Sequence, residues 1–219
     1  MKNITETISY NLAQYLIKST DNKDEEFEVL KYGIFVFMHM LMACISTIIF
    51  GFITNTMFEI VTVSFIGAAM KRCSGGVHCS SPNRCIVTGI IMSYTFALIG
   101  KSVNYISIEA VYLTGSLILI HAFIILYKKC PVPSKNKPLK KEKTRKRLRK
   151  KAFNVYSICT IVFIVNIISN KFNIIYKFVD FNSLASCMVL GLYMQALSLT
   201  DLGSKCILLL DELLIKLKV

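Results

Sequence analysis

The chain has 219 residues, 54% of them hydrophobic and 18% charged, with a mean hydropathy of +0.55 and a formal net charge of +13. That is too apolar for an ordinary soluble domain and implies an integral membrane protein, all-α and polytopic. The charge does not imply nucleic acid as a partner: 13 of the 26 Lys and Arg lie between Lys128 and Lys151, opposed there only by Glu142, so the excess belongs to one segment and not to a folded basic face.

Met1 to Asp21 carries Glu6 and Asp21 and lacks a continuous apolar core, so it does not read as a cleavable signal peptide. Its Ile4, Ile8, Leu12 and Leu16 recur at intervals of four, the pattern of an amphipathic helix on the membrane surface. After an acidic patch, Tyr32 to Thr54 is long enough to cross a hydrocarbon core of about 30 Å. A Thr54-Asn55-Thr56 break leads to a shorter run, Met57 to Met70. Further runs cover Cys85 to Val103, Val111 to Tyr127, Phe153 to Asn170 and Phe181 to Thr200, giving six expected spans. The tail, Asp201 to Val219, sets Leu208, Leu209, Leu213 and Leu217 against Asp211, Glu212, Lys216 and Lys218 and reads as a second surface helix.

The organisation expected is one membrane domain over 1–219. Residues 1–30 are cytoplasmic, 32–127 hold four spans, 128–151 form a basic cytoplasmic loop, 153–200 hold two spans, and 201–219 form a cytoplasmic tail. With the N-terminus inside, 23 Lys and Arg fall on the inner side and only Lys101, Lys171 and Lys177 on the outer, as retention of basic residues in the cytoplasm requires. Both termini and the polar passage at 71–85 then lie on the cytoplasmic face. Glu59, Lys101 and Glu109 come out near external span ends, where water or headgroups solvate them. His39 and His121 lie at similar depth in two spans and read as satisfied histidines of a helix bundle.

Polar chemistry is concentrated in Lys71 to Cys85, KRCSGGVHCSSPNRC. Ser81 followed by Pro82 has the form of an N-cap and first helical position, which puts Cys85 in the first turn of the third span. The positive end of the helix dipole there favours a thiolate, Arg84 adds a cation, and His78 is placed to take the proton. On one continuous helix His78 and Cys85 would stand about 10 Å apart, so direct contact needs a turn between them. Gly75-Gly76 and Ser80-Ser81-Pro82 provide turn-forming residues. Asn83 and Gln195 are candidates for orienting the imidazole. A metal site built from Cys73, His78, Cys79 and Cys85 is the competing reading, but the spacings lack the short pairs of structural zinc sites, and no metal or other cofactor is expected. Disulfides are disfavoured by the reducing compartment, and Cys44, Cys130, Cys159, Cys187 and Cys206 read as small apolar residues.

At these residues the sequence resembles the accessory gene regulator protein B (AgrB) family of bacterial membrane peptidases. The pattern of an Arg, a Gly, a His and a Cys seven positions later is matched by Arg72, Gly76, His78 and Cys85. CPVPSKNKPL from Cys130, GLYMQALSLT from Gly191 and KYG at Lys31 extend the resemblance over nearly the whole chain. Cys79 departs from it, since the family commonly has Ala after the histidine.

The resemblance implies a cysteine endopeptidase that cleaves the C-terminal tail from an AgrD-type pro-peptide, then closes a thiolactone or lactone ring through a thioester to make a quorum-sensing signal. It implies Cys85 as nucleophile and His78 as base, with Arg72 and Gly76 in the same motif; Gly75 and Ser81 shape the site by their turn and capping chemistry, and Asn83 or Gln195 remains the candidate third group. Family precursors carry an acidic tail, for which Arg145, Lys146, Arg147 and Arg149 are candidate contacts, while anionic lipid is an equal partner for the same segment. A homodimer is also implied. The alternative from another class is a small transporter or channel with a redox- or metal-sensing Cys/His loop.

Overall fold

The computed structural model describes residues 4–18, 24–133, 141–172 and 180–217. Among these, eight α-helices follow in order: α1 (Ile4–Lys18), α2 (Asp24–Ile53), α3 (Met57–Ser74), α4 (Pro82–Ser102), α5 (Ile108–Lys129), α6 (Glu142–Lys171), α7 (Phe181–Ser198) and α8 (Asp201–Lys216), with one 3-10 turn at Val103–Tyr105. The protein is an all-α polytopic membrane protein. Four of these helices, α2, α4, α5 and α6, are each long and apolar enough to cross a membrane, and α7 with α8 makes a fifth candidate if the pair is one span bent by 89°. The six expected spans are thus not all met by length and composition. α3 falls short because Glu59, Lys71 and Arg72 are among its 18 residues.

The chain divides into two compact units, Met1–Ser46 and Thr47–Val219. In the first, α1 forms where the i, i+4 pattern places it, and Ile8, Leu12 and Leu16 are exposed. Tyr10 meets Phe27 edge to face at 5.5 Å, and Lys31 pairs with Glu28 at 3.2 Å. His39 bonds the Phe35 carbonyl of its own helix at 3.1 Å.

In the second unit, α2 is followed by a tight turn in which Asn55 takes a left-handed φ of 54° and Thr56 N–H bonds the Gly51 carbonyl. Lys101, expected to be solvated at a span end, donates to the Asn55 carbonyl at 2.6 Å. The main core joins α3, α5, α6 and α7 through Ile66, Met70, Leu126, Phe163, Leu192 and Ala196, among others. His121 on α5 bonds the Tyr193 hydroxyl at 2.9 Å.

Lipid tails are as apolar as leucine, so helix association depends on close approach and packing. α3 and α7 achieve it with small residues: a methyl on Gly67 would stand 2.7 Å from Met194 Cε, and one on Gly191 would stand 2.7 Å from the Val63 carbonyl oxygen. α7 starts at Asp180, whose carboxylate accepts from Ser183 N–H at 3.1 Å, and α8 starts at Thr200, whose hydroxyl accepts from Gly203 N–H at 3.1 Å.

Two expectations need correction. The basic segment is not all loop: Glu142 to Lys151 forms the first turns of α6, while 134–140, with the SKNKPL part of CPVPSKNKPL, lies outside the described residues. The tail is a helix whose Leu208, Leu209 and Leu213 are exposed, as in a surface helix, but Asp211, expected on the polar face, is buried with Ile207 and Leu214. The face carrying Asp211 is turned into the protein.

Gly191→Ala is expected to cost about 1–3 kcal/mol from overpacking against Val63. It should lower the Tm of the detergent-solubilised protein. Gly89→Ala, where a methyl meets nothing within 4 Å, should not. Equal melting of the two variants would contradict the packing described.

Candidate active site

The site is assembled where α3 stops and α4 starts. α3 stops at Ser74 because Gly75 and Gly76 take φ of 75° and 121°, conformations that side chains disfavour. Gly75 also lies against the segment that follows α5: Val132 N–H bonds the Ser74 carbonyl at 2.8 Å, and a methyl on Gly75 would collide with the Val132 carbonyl oxygen. Behind the turn is Gln195 of α7, which is buried. Its amide donates to Ser74 Oγ at 3.2 Å and to the Gly75 carbonyl at 2.9 Å. Gln195, with Asn83 one of two candidates for orienting the imidazole, instead anchors the loop backbone through these bonds.

At the other end, Ser81 is the extended N-cap and Pro82 the first helical residue, as the sequence implies, although the Ser81 side chain makes no capping bond. The first backbone bond of α4 runs from Cys85 N–H to the Ser81 carbonyl at 3.0 Å. Cys85 therefore sits in the first turn, half-buried, near the positive end of the helix dipole. Arg84 does not stand as an open cation beside it. Its Nε is 2.9 Å from Asp211 Oδ1, and its Nη2 donates to Ser80 Oγ at 2.9 Å. Ser80 N–H and Ser80 Oγ–H both donate to Asp211 Oδ2, at 2.9 and 2.6 Å. These bonds, the Ser80 hydroxyl first, hold the Asp211 carboxyl below the ordinary carboxylate range.

Between the two ends lie His78 and Cys79. His78 is exposed, and partial desolvation with the nearby Lys71 charge lowers its pKa from the ordinary 6.5, so the neutral imidazole predominates at pH 7. The Cys79 thiol donates to Thr88 Oγ1 at 3.5 Å, one turn beyond Cys85 on α4. Burial, partly offset by that hydroxyl, raises the Cys79 pKa, and the neighbouring Cys85 and Asp211 add to the rise. The turn between His78 and Cys85 thus exists, although among the described residues no hydrogen bond joins the two side chains. Arg72, in the last turn of α3, and Asn83, in the first turn of α4, are both exposed.

The four basic candidates lie on α6. Arg145 and Arg147 are exposed, and Lys146 pairs with Glu142 at 2.8 Å. Arg149 is engaged in the fold, stacked 4.9 Å from the Tyr127 ring and donating to the Tyr127 carbonyl at 2.8 Å. Asp211 is the residue that sequence reasoning missed. The signal available was a carboxylate at helical spacing from Ile207 and Leu214.

A helical membrane bundle that carries a cysteine in the first turn of a helix, preceded by a histidine-bearing loop, defines the class. The chain belongs to the AgrB family: the sequence profile described as Accessory gene regulator B matches residues 9–199. An AgrB-like protein of Clostridium perfringens (strain SM101 / Type A) is 28% identical over 97% of this chain and 99% of its own length. AgrB-like protein 2 of Clostridium perfringens (strain 13 / Type A) is 30% identical over 74% of this chain and 77% of its own. No solved structure matches significantly. Membership ties the protein to accessory gene regulator peptide processing.

The raised Cys79 thiol gives a direct expectation. In a Cys85→Ser background, Cys79 alkylation by a small haloacetamide should still be accelerating at pH 9, because the thiolate is the reactive form. A rate already level at pH 8 would contradict the described burial.

Proposed function

We propose that the protein is a membrane cysteine endopeptidase that removes the C-terminal tail of an AgrD-type pro-peptide, the partner its family implies, and cyclises the remainder. The observation that carries this reading is the position of Cys85 in the first turn of α4, beside a loop turned back by Gly75, Gly76 and Ser80 to Pro82 and carrying His78. His78, with its lowered pKa, takes the Cys85 proton. The thiolate adds to the carbonyl carbon at the processing site, the C–N bond breaks, and the departing amine takes the proton back from His78. A Cys or Ser side chain of the bound peptide, losing its proton to the now neutral His78, then attacks the thioester, the C–S bond breaks, and Cys85 leaves as a thiolate that takes the proton back from His78. Exchange with a substrate thiol conserves the thioester's free energy, whereas hydrolysis dissipates it. Burial beside the membrane helps to exclude water.

Arg72 and Asn83, both exposed beside the loop, are in reach of the peptide rather than of the protein's own core. Arg145 and Arg147 are the open cations for an acidic tail, and the same stretch suits anionic lipid. The 23 to 3 division of basic residues supports a multi-pass protein of the bacterial cytoplasmic membrane with its termini and site facing inward. The homodimer of the family is part of the proposal.

Processing of a co-expressed precursor, resolved by mass, tests the reading. Cys85→Ala and His78→Ala should stop tail release, and Cys79→Ala should not; release that survives Cys85→Ala would overturn it. Since only neutral His78 accepts a proton, the rate should rise with pH through a midpoint below 6.5. A midpoint above that value would contradict the role given to His78. Arg145→Gln with Arg147→Gln should raise KM several-fold at low salt, on the order of 1 kcal/mol, with kcat kept. An unchanged KM would remove the tail contact.

A further inference from the structure

We propose that Asp211 is a positioning residue of this site, gripping Ser80 and Arg84 so that the His78 loop is held in register with Cys85. The proposal rests on the peptidase reading and adds a part of the chain that the family match does not reach, since that match ends at residue 199 and α8 begins at Asp201.

One carboxylate spans the gap that matters. Its Oδ2 accepts from Ser80 N–H and Ser80 Oγ–H, and its Oδ1 accepts from Arg84 Nε. Arg84 closes the ring by donating to Ser80 Oγ. Ser80 is two residues after His78, and Arg84 immediately precedes Cys85, so both reactive side chains stand next to a clamped backbone. Asp211 is only 5% exposed, as surface pairing would not require. The buried residues of α8, Ile207, Asp211 and Leu214, share one helical face, so the face that carries Asp211 is the face that packs.

The same C-terminal element holds both ends of the loop. Gln195 on α7 fixes Ser74 and Gly75, and Asp211 on α8 fixes Ser80 and Arg84. The bend between the two helices is a built feature. Thr200 caps α8, and at Gly203 any side chain would collide with the Leu197 carbonyl. His78 hangs between the two anchors, exposed and able to meet a peptide while its backbone ends stay fixed. A displacement of about 1 Å at a reacting group can cost a hundredfold in rate, so one ionic clamp on a short loop has large leverage.

The test is precursor processing in native membranes, with active molecules counted by maleimide alkylation of Cys85 in each preparation. For Asp211→Ala we expect kcat per counted molecule to fall about tenfold to a hundredfold with KM changed less than about twofold. The exchanged pair Arg84→Asp with Asp211→Arg should recover part of the kcat that Arg84→Asp alone loses, which a general loss of folding would not do. Asp211→Ala turning over at the wild-type rate, a loss confined to KM, or an exchanged pair no better than Arg84→Asp alone would each overturn the proposal. Should Asp211→Ala fail to insert, the comparison of the exchanged pair with Arg84→Asp decides it. Cys85→Ala run alongside separates the two levels. Processing without Cys85 sinks the peptidase reading itself, whereas a Cys85-dependent wild type with an indifferent Asp211→Ala sinks only the clamp.

Discussion

Much of the site depends on where α3 is made to stop. The chain must leave the helix at Ser74, pass Val132 at backbone distance and turn back toward α4, and only a residue without a side chain fits at Gly75. The buried amide of Gln195 then gives the Ser74 hydroxyl and the Gly75 carbonyl a partner inside the protein, which a polar turn next to an apolar core requires. Gln195 can be there because α7 lies against α3 at the closeness set by Gly67 and Gly191. Helix packing and the geometry of the loop that carries His78 are thus one linked constraint.

The electrostatics differ from what linear order suggests. Arg84 is adjacent to Cys85 in sequence, yet its charge is met by Asp211, which leaves the start of α4 as the positive feature beside that thiol. Burial raises the Cys79 pKa, the Thr88 hydroxyl partly offsets the rise, and the nearby Cys85 and Asp211 add to it.

The helices were legible because long apolar runs, Ser81-Pro82 and Gly75-Gly76 are strong local signals with direct steric causes. The need for a turn between His78 and Cys85 followed from helical rise alone. What could not be read was which distant side chain meets the loop. Gln195 was one of two candidates for the imidazole, but its amide bonds the Ser74 hydroxyl and the Gly75 carbonyl; a position along α7 gives depth without direction. Asp211 lies 131 positions from Ser80, and it was placed on the polar face of a surface helix. Exposed Leu208, Leu209 and Leu213 suit such a helix, but the carboxylate faces protein and not water. α3 is not counted among the candidate spans because Glu59, Lys71 and Arg72 lie near its two ends.

The most direct test of the central claim is to trap the thioester. A precursor whose ring-closing Cys or Ser is replaced by Ala cannot resolve the intermediate by exchange, so the acyl-enzyme should accumulate when it is mixed with the membrane-embedded protein. The account predicts a hydroxylamine-labile adduct of the tail-less peptide, mapped by peptide mass spectrometry to Cys85. Tail release without such an adduct, or an adduct on Cys79, would contradict it.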